Sequence, residues 1–139
     1  MAAETWTLDP RLERDTLALG DLPLSRVLLM NDANYPWLIL VPRRPNLVEL
    51  IDLDEAGQIA LMSEVSQAAR GLKAVAACDK LNVAALGNEV RQLHVHVIAR
   101  RRDDAAGARP VWGAVPPQLY AEAERERLRA ALRQALGLP

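Results

Sequence analysis

The two histidines of this chain, His94 and His96, are its only ones and lie two positions apart. They fall in the run 92–98, where polar and apolar residues alternate, a pattern typical of a half-buried β-strand. The alternation predicts that Gln92, His94 and His96 share one face of that strand. At about 3.3 Å per residue, the imidazoles would be about 6–7 Å apart, so one small ligand could touch both.

Three kinds of chemistry fit such a pair, and the spacing alone leaves all three open. The histidines could be solvated polar residues on the open face of a strand. They could be metal ligands, because His-x-His is a common ligand spacing, although Cys78 or an acid would have to supply the third ligand. They could also act in nucleophilic catalysis, with one imidazole attacking and the other serving as its acid or electrostatic partner.

The segment that leads into the strand favours the nucleophilic role. A turn is predicted at Gly87-Asn88, and together with the strand the run 82–100 resembles the active-site segment of the histidine triad (HIT) superfamily. That family has the pattern His-φ-His-φ-His-φ-φ after a Gly-Gln turn. His94 and His96 match its second and third histidines, and Gln92 stands where the first would be. The resemblance also reaches back to residues 27–44.

This resemblance implies a reaction at the α-phosphorus of a small nucleotide conjugate, such as a nucleoside phosphoramidate or a dinucleoside polyphosphate. His94 would be the nucleophile and would form a nucleotidyl-histidine, with a backbone carbonyl fixing its tautomer. His96 would contact the phosphate or the leaving group and could carry positive charge. The alternative is a nucleotide-binding or protein-interaction module with the HIT fold and little turnover. No cofactor and no metal site are expected.

The resemblance also implies which residues bind the substrate. Asn31, at the end of a strand, would bind the ribose, and Asn82 is assigned to the same substrate-binding set. Asn88 would hydrogen-bond phosphate oxygens, while Gly87 lets the backbone approach them closely. Gln92 can donate and accept hydrogen bonds but cannot titrate.

The elements that must position these residues follow from local patterns. Strands in hairpin pairs, separated by one long helix, predict an α+β fold with an antiparallel sheet and helices against one face. The whole chain is interpreted as a single HIT-like domain, with a core of about 20–104 and a C-terminal extension and helix of about 105–139. The predicted elements are a short helix at Pro10–Thr16, strands at Ser25–Met30, Trp37–Val41, Lys80–Ala85 and Val90–Ala99, a long helix capped by Asp52 and ending near Ala77, and a helix at Gln118–Leu136.

Three further predictions concern side chains away from the histidines. Ile59 and Met62 belong to the apolar stripe of the long helix and are interpreted as core. The arginine run Arg100–Arg102 is interpreted as a solvated strand end. Trp112, in an irregular stretch, is interpreted as a packing anchor rather than a surface on which a ligand stacks.

The composition of the chain indicates which kinds of partner and which compartment to expect. A net charge of −1 argues against an electrostatic nucleic-acid binder. The single cysteine cannot form an intramolecular disulfide, which fits a reducing cytoplasm. The start of the chain, 1–6, has neither the basic nor the apolar region of a signal peptide, and no apolar run is long enough for a membrane span. The resemblance implies a homodimer, and Trp112 and the last helix are expected to supply its apolar area.

Overall fold

One antiparallel sheet, with strand order β1-β2-β3-β5-β4, carries the histidine segment on its fourth strand from one edge. The computed structural model describes residues 5–139, so four of the six residues that argued against a signal peptide lie outside the described residues. In chain order the elements are α1 (Pro10–Asp15), β1 (Thr16–Asp21), β2 (Ser25–Met30), β3 (Trp37–Pro42), a 3-10 turn (Leu50–Asp52), α2 (Glu55–Val75), β4 (Lys80–Ala84), β5 (Val95–Arg100) and α3 (Glu122–Ala135). The predicted α+β class with an antiparallel sheet is confirmed.

The two faces of the sheet follow from the period-2 alternation along its central strands. Leu38 and Leu40 of β3 and Val95 and Val97 of β5 point to one face, where α2 and α3 cover them. The opposite face carries a second apolar cluster, drawn from the sheet, from α1 and from residues 101–121, here called the connecting segment. The cluster consists of Leu12, Leu28, Tyr35, Trp37, Ile39, Val41, Ile98, Ala106 and Val111. The sheet is therefore covered on both faces, which the sequence patterns did not predict.

The structure adds one strand to those predicted and shortens another. β1 was missed because its sequence ends in turn-forming residues, and its pairing with β2 shifts register between Ala18 and Gly20. The histidine strand begins at Val95 rather than Val90. The alternation in polarity begins at Gln92, before the strand does, and the backbone there bonds elsewhere: the Leu93 N–H donates to the Leu47 carbonyl at 3.0 Å. His94 therefore lies just before the regular strand.

The helix ends also differ from the predictions. Asp54 caps α2 by accepting from the Gly57 N–H at 2.8 Å, whereas Asp52 accepts from the N–H groups of residues 48 and 49. The predicted core residues Ile59 and Met62 are 65% and 66% exposed. The last helix begins four residues later than predicted, at Glu122. No helix within residues 5–139 has both the length and the apolar character needed to cross a membrane.

Candidate functional site

Two cavities meet at His94. The larger has a volume of about 700 Å³ and the smaller about 220 Å³, and both are lined by Leu86, Gly87 and His94. Gly87 has a φ of 77°, a left-handed conformation that favours glycine and brings the backbone close to the cavity. His94 can therefore reach a ligand in either cavity. The larger cavity is also lined by Met30, Asn31, Asp32, Trp37, Asn88, His96, Trp112 and Leu119.

The hydrogen bond at His94 fixes its tautomer. Nδ1 lies 2.7 Å from the backbone carbonyl oxygen of Gln92. A carbonyl only accepts, so Nδ1 carries the proton, and in the neutral ring the lone pair is on Nε2. This is the backbone contact expected for a nucleophilic imidazole, and Nε2 has no hydrogen bond to the described residues.

His96 has the opposite tautomer. The indole N–H of Trp37 donates to Nδ1 of His96 at 3.0 Å, so the neutral ring carries its proton on Nε2. Burial, and secondarily the neighbouring His94, lowers the pKa of His96 to about 3. His96 was expected to be able to carry positive charge, but an imidazole with this pKa is neutral near pH 7 and donates through Nε2.

The two rings are buried rather than lying on an open strand face. Their centroids are 4.8 Å apart, and His94 and His96 are only 6% and 4% exposed. The ring of Trp112 lies edge-on to His96 at 5.0 Å and to Trp37 at 5.8 Å. The interpretation of the pair as solvated strand residues is thus wrong, because the connecting segment covers them. In the described part of the chain, no group of three or more His, Cys, Asp or Glu side chains could hold a metal ion.

The predicted binding residues are divided between the cavities. Asn31, Gly87 and Asn88 line the larger one, and Gly87 and Gln92 line the smaller one. Asn82 lines neither. Its Oδ1 accepts from the Arg100 guanidinium at 2.9 Å, so it supports the sheet edge instead.

Asn31 is only partly free to bind a ligand. Its Oδ1 accepts from the Tyr120 N–H at 3.1 Å, which leaves the Nδ2 donors for a ligand oxygen. The adjacent Asp32 carboxylate accepts from the Gln118 N–H at 3.2 Å and from the Asn34 N–H at 3.0 Å. These bonds attach the 31–34 loop to the connecting segment, so both walls of the larger cavity are fixed together.

The side-chain amide of Gln92 bonds to the N-terminal segment. Its Oε1 accepts from the Asp9 N–H and its Nε2 donates to the Thr7 carbonyl, both at 2.8 Å. Arg11 adds a bond to the Glu89 carbonyl at 3.0 Å. The Gln92 amide therefore attaches the N-terminal segment to the loop that carries the His94 carbonyl contact. Gln92 and His94 both precede the regular strand, so the alternation of a strand does not fix their directions.

The prediction that Arg100 is exposed to solvent is wrong. Its side chain is 8% exposed and pairs with Asp104 at 2.8 Å, and its donors also reach Asn82 and the carbonyls of Gly107 and Arg109. The charge-assisted bond to Arg100 lowers the pKa of Asp104 to about 2. Only Arg101 and Arg102 are exposed as predicted. The buried arginine holds the connecting segment, and with it Trp112, over the histidines.

Sequence reasoning missed three residues that line the cavities: Trp37, Trp112 and Arg91. Trp37 is two positions along β3 from the register partner of His96, and only the strand pairing reveals this. Trp112 packs as predicted, but its contact is with the catalytic candidate His96, and it is 39% exposed. Arg91 precedes Gln92 in an irregular loop, where no periodicity indicates its direction.

The neutral state of His96 predicts a specific pH dependence of stability. Its folded pKa of about 3 lies below the ordinary 6.5, so only the unfolded chain gains a proton as pH falls below 6.5. The stabilisation is complete above about pH 6.5 and is lost as pH falls toward 3. Between pH 7 and pH 5, wild type should lose about 1–2 kcal/mol more unfolding free energy than His96→Gln, whose amide oxygen can still accept from Trp37. Urea unfolding at both pH values measures this, and parallel losses in the two proteins would contradict it.

The sheet order, the covering helices and two histidines in opposite tautomers at the end of one strand define a HIT-type α+β protein. The HIT domain model matches residues 11–103, and the chain belongs to this family. A histidine triad protein from Bradyrhizobium japonicum is 56% identical, with a TM-score of 0.94 over 96% of this chain and 99% of that one.

Two further histidine triad proteins of known structure are nearly as similar. The one from Sinorhizobium meliloti is 45% identical, with a TM-score of 0.91 over 94% of this chain and 97% of its own. The one from Marinobacter aquaeolei is 42% identical, with a TM-score of 0.93 over 96% and 98%. None of the curated proteins compared with this chain matched it.

Proposed function

We propose that this chain is a nucleotide hydrolase or nucleotidyl transferase that acts at the α-phosphorus of a small nucleotide conjugate through a covalent intermediate on His94. The observation that carries the proposal is the pair of opposite tautomers. The Gln92 carbonyl leaves a lone pair on Nε2 of His94, and the Trp37 indole leaves a proton on Nε2 of His96. One ring can therefore attack phosphorus while its neighbour donates to a phosphate oxygen.

In the first step, the Nε2 lone pair of His94 forms a bond to the α-phosphorus. The bond from phosphorus to the leaving group breaks, and the leaving atom keeps the electron pair. When that atom is nitrogen, it takes a proton from a water molecule and departs as an amine. The imidazole becomes positively charged, and its Nδ1–H then donates to the Gln92 carbonyl 2.7 Å away, which stabilises that charge.

In the second step, the hydroxide left by that water attacks phosphorus. The bond between phosphorus and Nε2 breaks, the electron pair returns to His94, and a nucleoside monophosphate is released. Another acceptor in place of hydroxide makes the reaction a transfer. His96 stays neutral throughout and acts as a fixed donor, because protonating a buried imidazole with a pKa of about 3 is unfavourable near pH 7.

The larger cavity is the natural place for the nucleoside. Asn88 and the backbone at Gly87 line it beside His94, where phosphate oxygens need donors. Asn31 lines the same cavity, and its free Nδ2 can donate to a ribose hydroxyl oxygen. Asn82 has no part in this scheme, because it lines neither cavity.

Gln92 stands where the family pattern has its first histidine, and we assign it a positioning role. Its backbone carbonyl orients His94, and its side-chain amide fixes that backbone to Thr7 and Asp9. The role requires hydrogen bonds and no titration, which an amide supplies.

Trapping of the intermediate tests the proposal. The protein is mixed with adenosine and guanosine phosphoramidates labelled at phosphorus, then quenched in base, where a phosphorus–histidine bond survives. An acid-labile label on His94, together with release of nucleoside monophosphate, is expected, and EDTA should leave both unchanged. Saturable binding with neither label nor product would instead support the alternative, a nucleotide-binding module, which the lack of a titratable group at Gln92 favours.

We also propose a homodimer in a reducing cytoplasm, where the unpaired Cys78 would stay a thiol. Of the two features expected to supply its apolar area, Trp112 is 39% exposed although it packs on His96, whereas Leu132 of α3 is fully buried. Other large exposed apolar side chains lie near α2 and on the edge strand β4, and include Leu50, Ile51, Ile59, Met62 and Val83. A particle of 15.3 kDa in light scattering at micromolar concentration would contradict the dimer.

A further inference from the structure

The smaller cavity beside His94 has no role in the mechanism above. It adjoins the larger cavity along Leu86, Gly87 and His94, so both cavities border His94. An α-phosphorus held at His94 carries two substituents, the nucleoside and the leaving group. Two cavities that meet at the nucleophile can hold one substituent each.

The volumes of the two cavities indicate which substituent of phosphorus each one binds. The larger cavity, about 700 Å³, is within the range of about 300–1,000 Å³ typical of ligand sites, and the smaller, about 220 Å³, falls below it. A nucleoside therefore belongs in the larger cavity, and the smaller one accepts only a compact leaving group. A second nucleotide, as in a dinucleoside polyphosphate, does not fit there.

The smaller cavity has an apolar lining with two charged side chains, Arg91 and Glu49. Within residues 5–139, the Arg91 guanidinium has neither an ion pair nor a hydrogen bond, so all its donors are available to a ligand. A guanidinium matches one carboxylate through two parallel hydrogen bonds. A polyphosphate would instead place several negative charges beside Glu49 with only one cation to balance them. The apolar lining is formed by Val48, Leu50, Ile51, Leu86 and Leu93.

We propose that the smaller cavity binds the leaving group, and that Arg91 selects one that carries a single carboxylate beside an apolar side chain. An apolar α-amino acid joined to phosphorus through its amino nitrogen has this chemistry. This inference rests on the proposed function. In the reaction, the phosphorus–nitrogen bond breaks, nitrogen keeps the pair and takes a proton from water, and the free amino acid leaves with its carboxylate on Arg91.

Two matched substrates test the assignment: the adenosine 5′-phosphoramidates of L-leucine and of 3-methylbutylamine, which differ only in the carboxylate. If the protein turns over the phosphoramidates of another ribonucleoside faster, that nucleoside replaces adenosine in both compounds. Wild type should prefer the leucine compound in kcat/KM by about tenfold or more, the effect of one charged hydrogen-bonded pair. Arg91→Gln should bring the ratio close to one. Arg91→Lys keeps the charge but loses the two parallel hydrogen bonds, so its ratio should lie between those of wild type and Arg91→Gln.

The control variant is Arg102→Gln, which removes the same charge from an exposed side chain that lines neither cavity, and it should keep the wild-type ratio. Glu49→Gln should raise the ratio, because it removes a repelling carboxylate. A wild-type ratio near one with normal turnover overturns this inference alone. So does an equal loss of preference in Arg91→Gln and Arg102→Gln. Failure of both compounds to label His94 or release nucleotide overturns the proposed function, and this inference with it.

Discussion

His94→Gly should lower kcat for nucleotide release by about 10³-fold or more while changing nucleotide affinity by less than about tenfold. In the proposed mechanism the imidazole supplies the electron pair that forms the intermediate, so its removal would leave no nucleophile in the site. Ground-state binding should persist because the walls of the larger cavity come from other residues, among them Asn31, Asn88 and Trp112. Single-turnover kinetics and equilibrium titration with a slowly reacting nucleotide measure the two quantities separately.

Chemical rescue distinguishes a lost nucleophile from a damaged site. The glycine variant leaves a space the size of an imidazole, so imidazole in the buffer should restore part of the turnover, without a covalent label on the protein. A matched substitution outside the cavities, Arg102→Gln, should behave as wild type. A His94→Gly protein with wild-type turnover would refute the covalent mechanism, and unchanged turnover with lost affinity would assign His94 to binding.

Arg100→Met should destabilise the protein by about 3–5 kcal/mol, because it leaves the Asp104 carboxylate buried without its partner. The Asp104 side chain is 6% exposed, and the substitution also removes the donors to the carbonyls of Gly107 and Arg109. Urea unfolding at pH 7 measures the loss. The connecting segment should loosen first, so Trp112 fluorescence should change at a lower urea concentration than the far-UV circular dichroism.

The neighbouring arginine provides the control for that measurement. Arg101 pairs with Asp103 at 3.2 Å, but the two side chains are 59% and 77% exposed. Exposed pairs contribute about 0–1 kcal/mol, so Arg101→Met should cost less than about 1 kcal/mol while removing the same charge. Similar losses in both variants would mean that the burial of Arg100 does not matter to stability.

Local sequence patterns were sufficient for several elements and for the position of the histidine pair. β2, β3 and β4 lie within one residue of their predicted ends, because each is an apolar or alternating run between turn-forming residues. The turn at Gly87 and the spacing of His94 and His96 also placed both rings at one cavity. Such features depend on period-2 geometry and on the left-handed turn, which are properties of neighbouring residues.

The rest was decided by contacts between distant residues. The Trp37–His96 bond spans 59 positions, and the bonds from Gln92 to Asp9 and Thr7 span 83 and 85. Alternation shows which residues share a face, but it does not show what covers that face. The connecting segment covers this strand face, and the resulting burial lowers the pKa of His96 to about 3.

The sequence by itself determined the antiparallel α+β fold, the HIT-type histidine pair and the turn before it. Only the tertiary structure decided the tautomers of His94 and His96, because each depends on one donor or acceptor placed by packing. It also decided that Arg100 is buried. An arginine at the end of a strand stays in solvent unless a carboxylate and several carbonyls converge on it, and here the chain folds back at Asp104 to supply them.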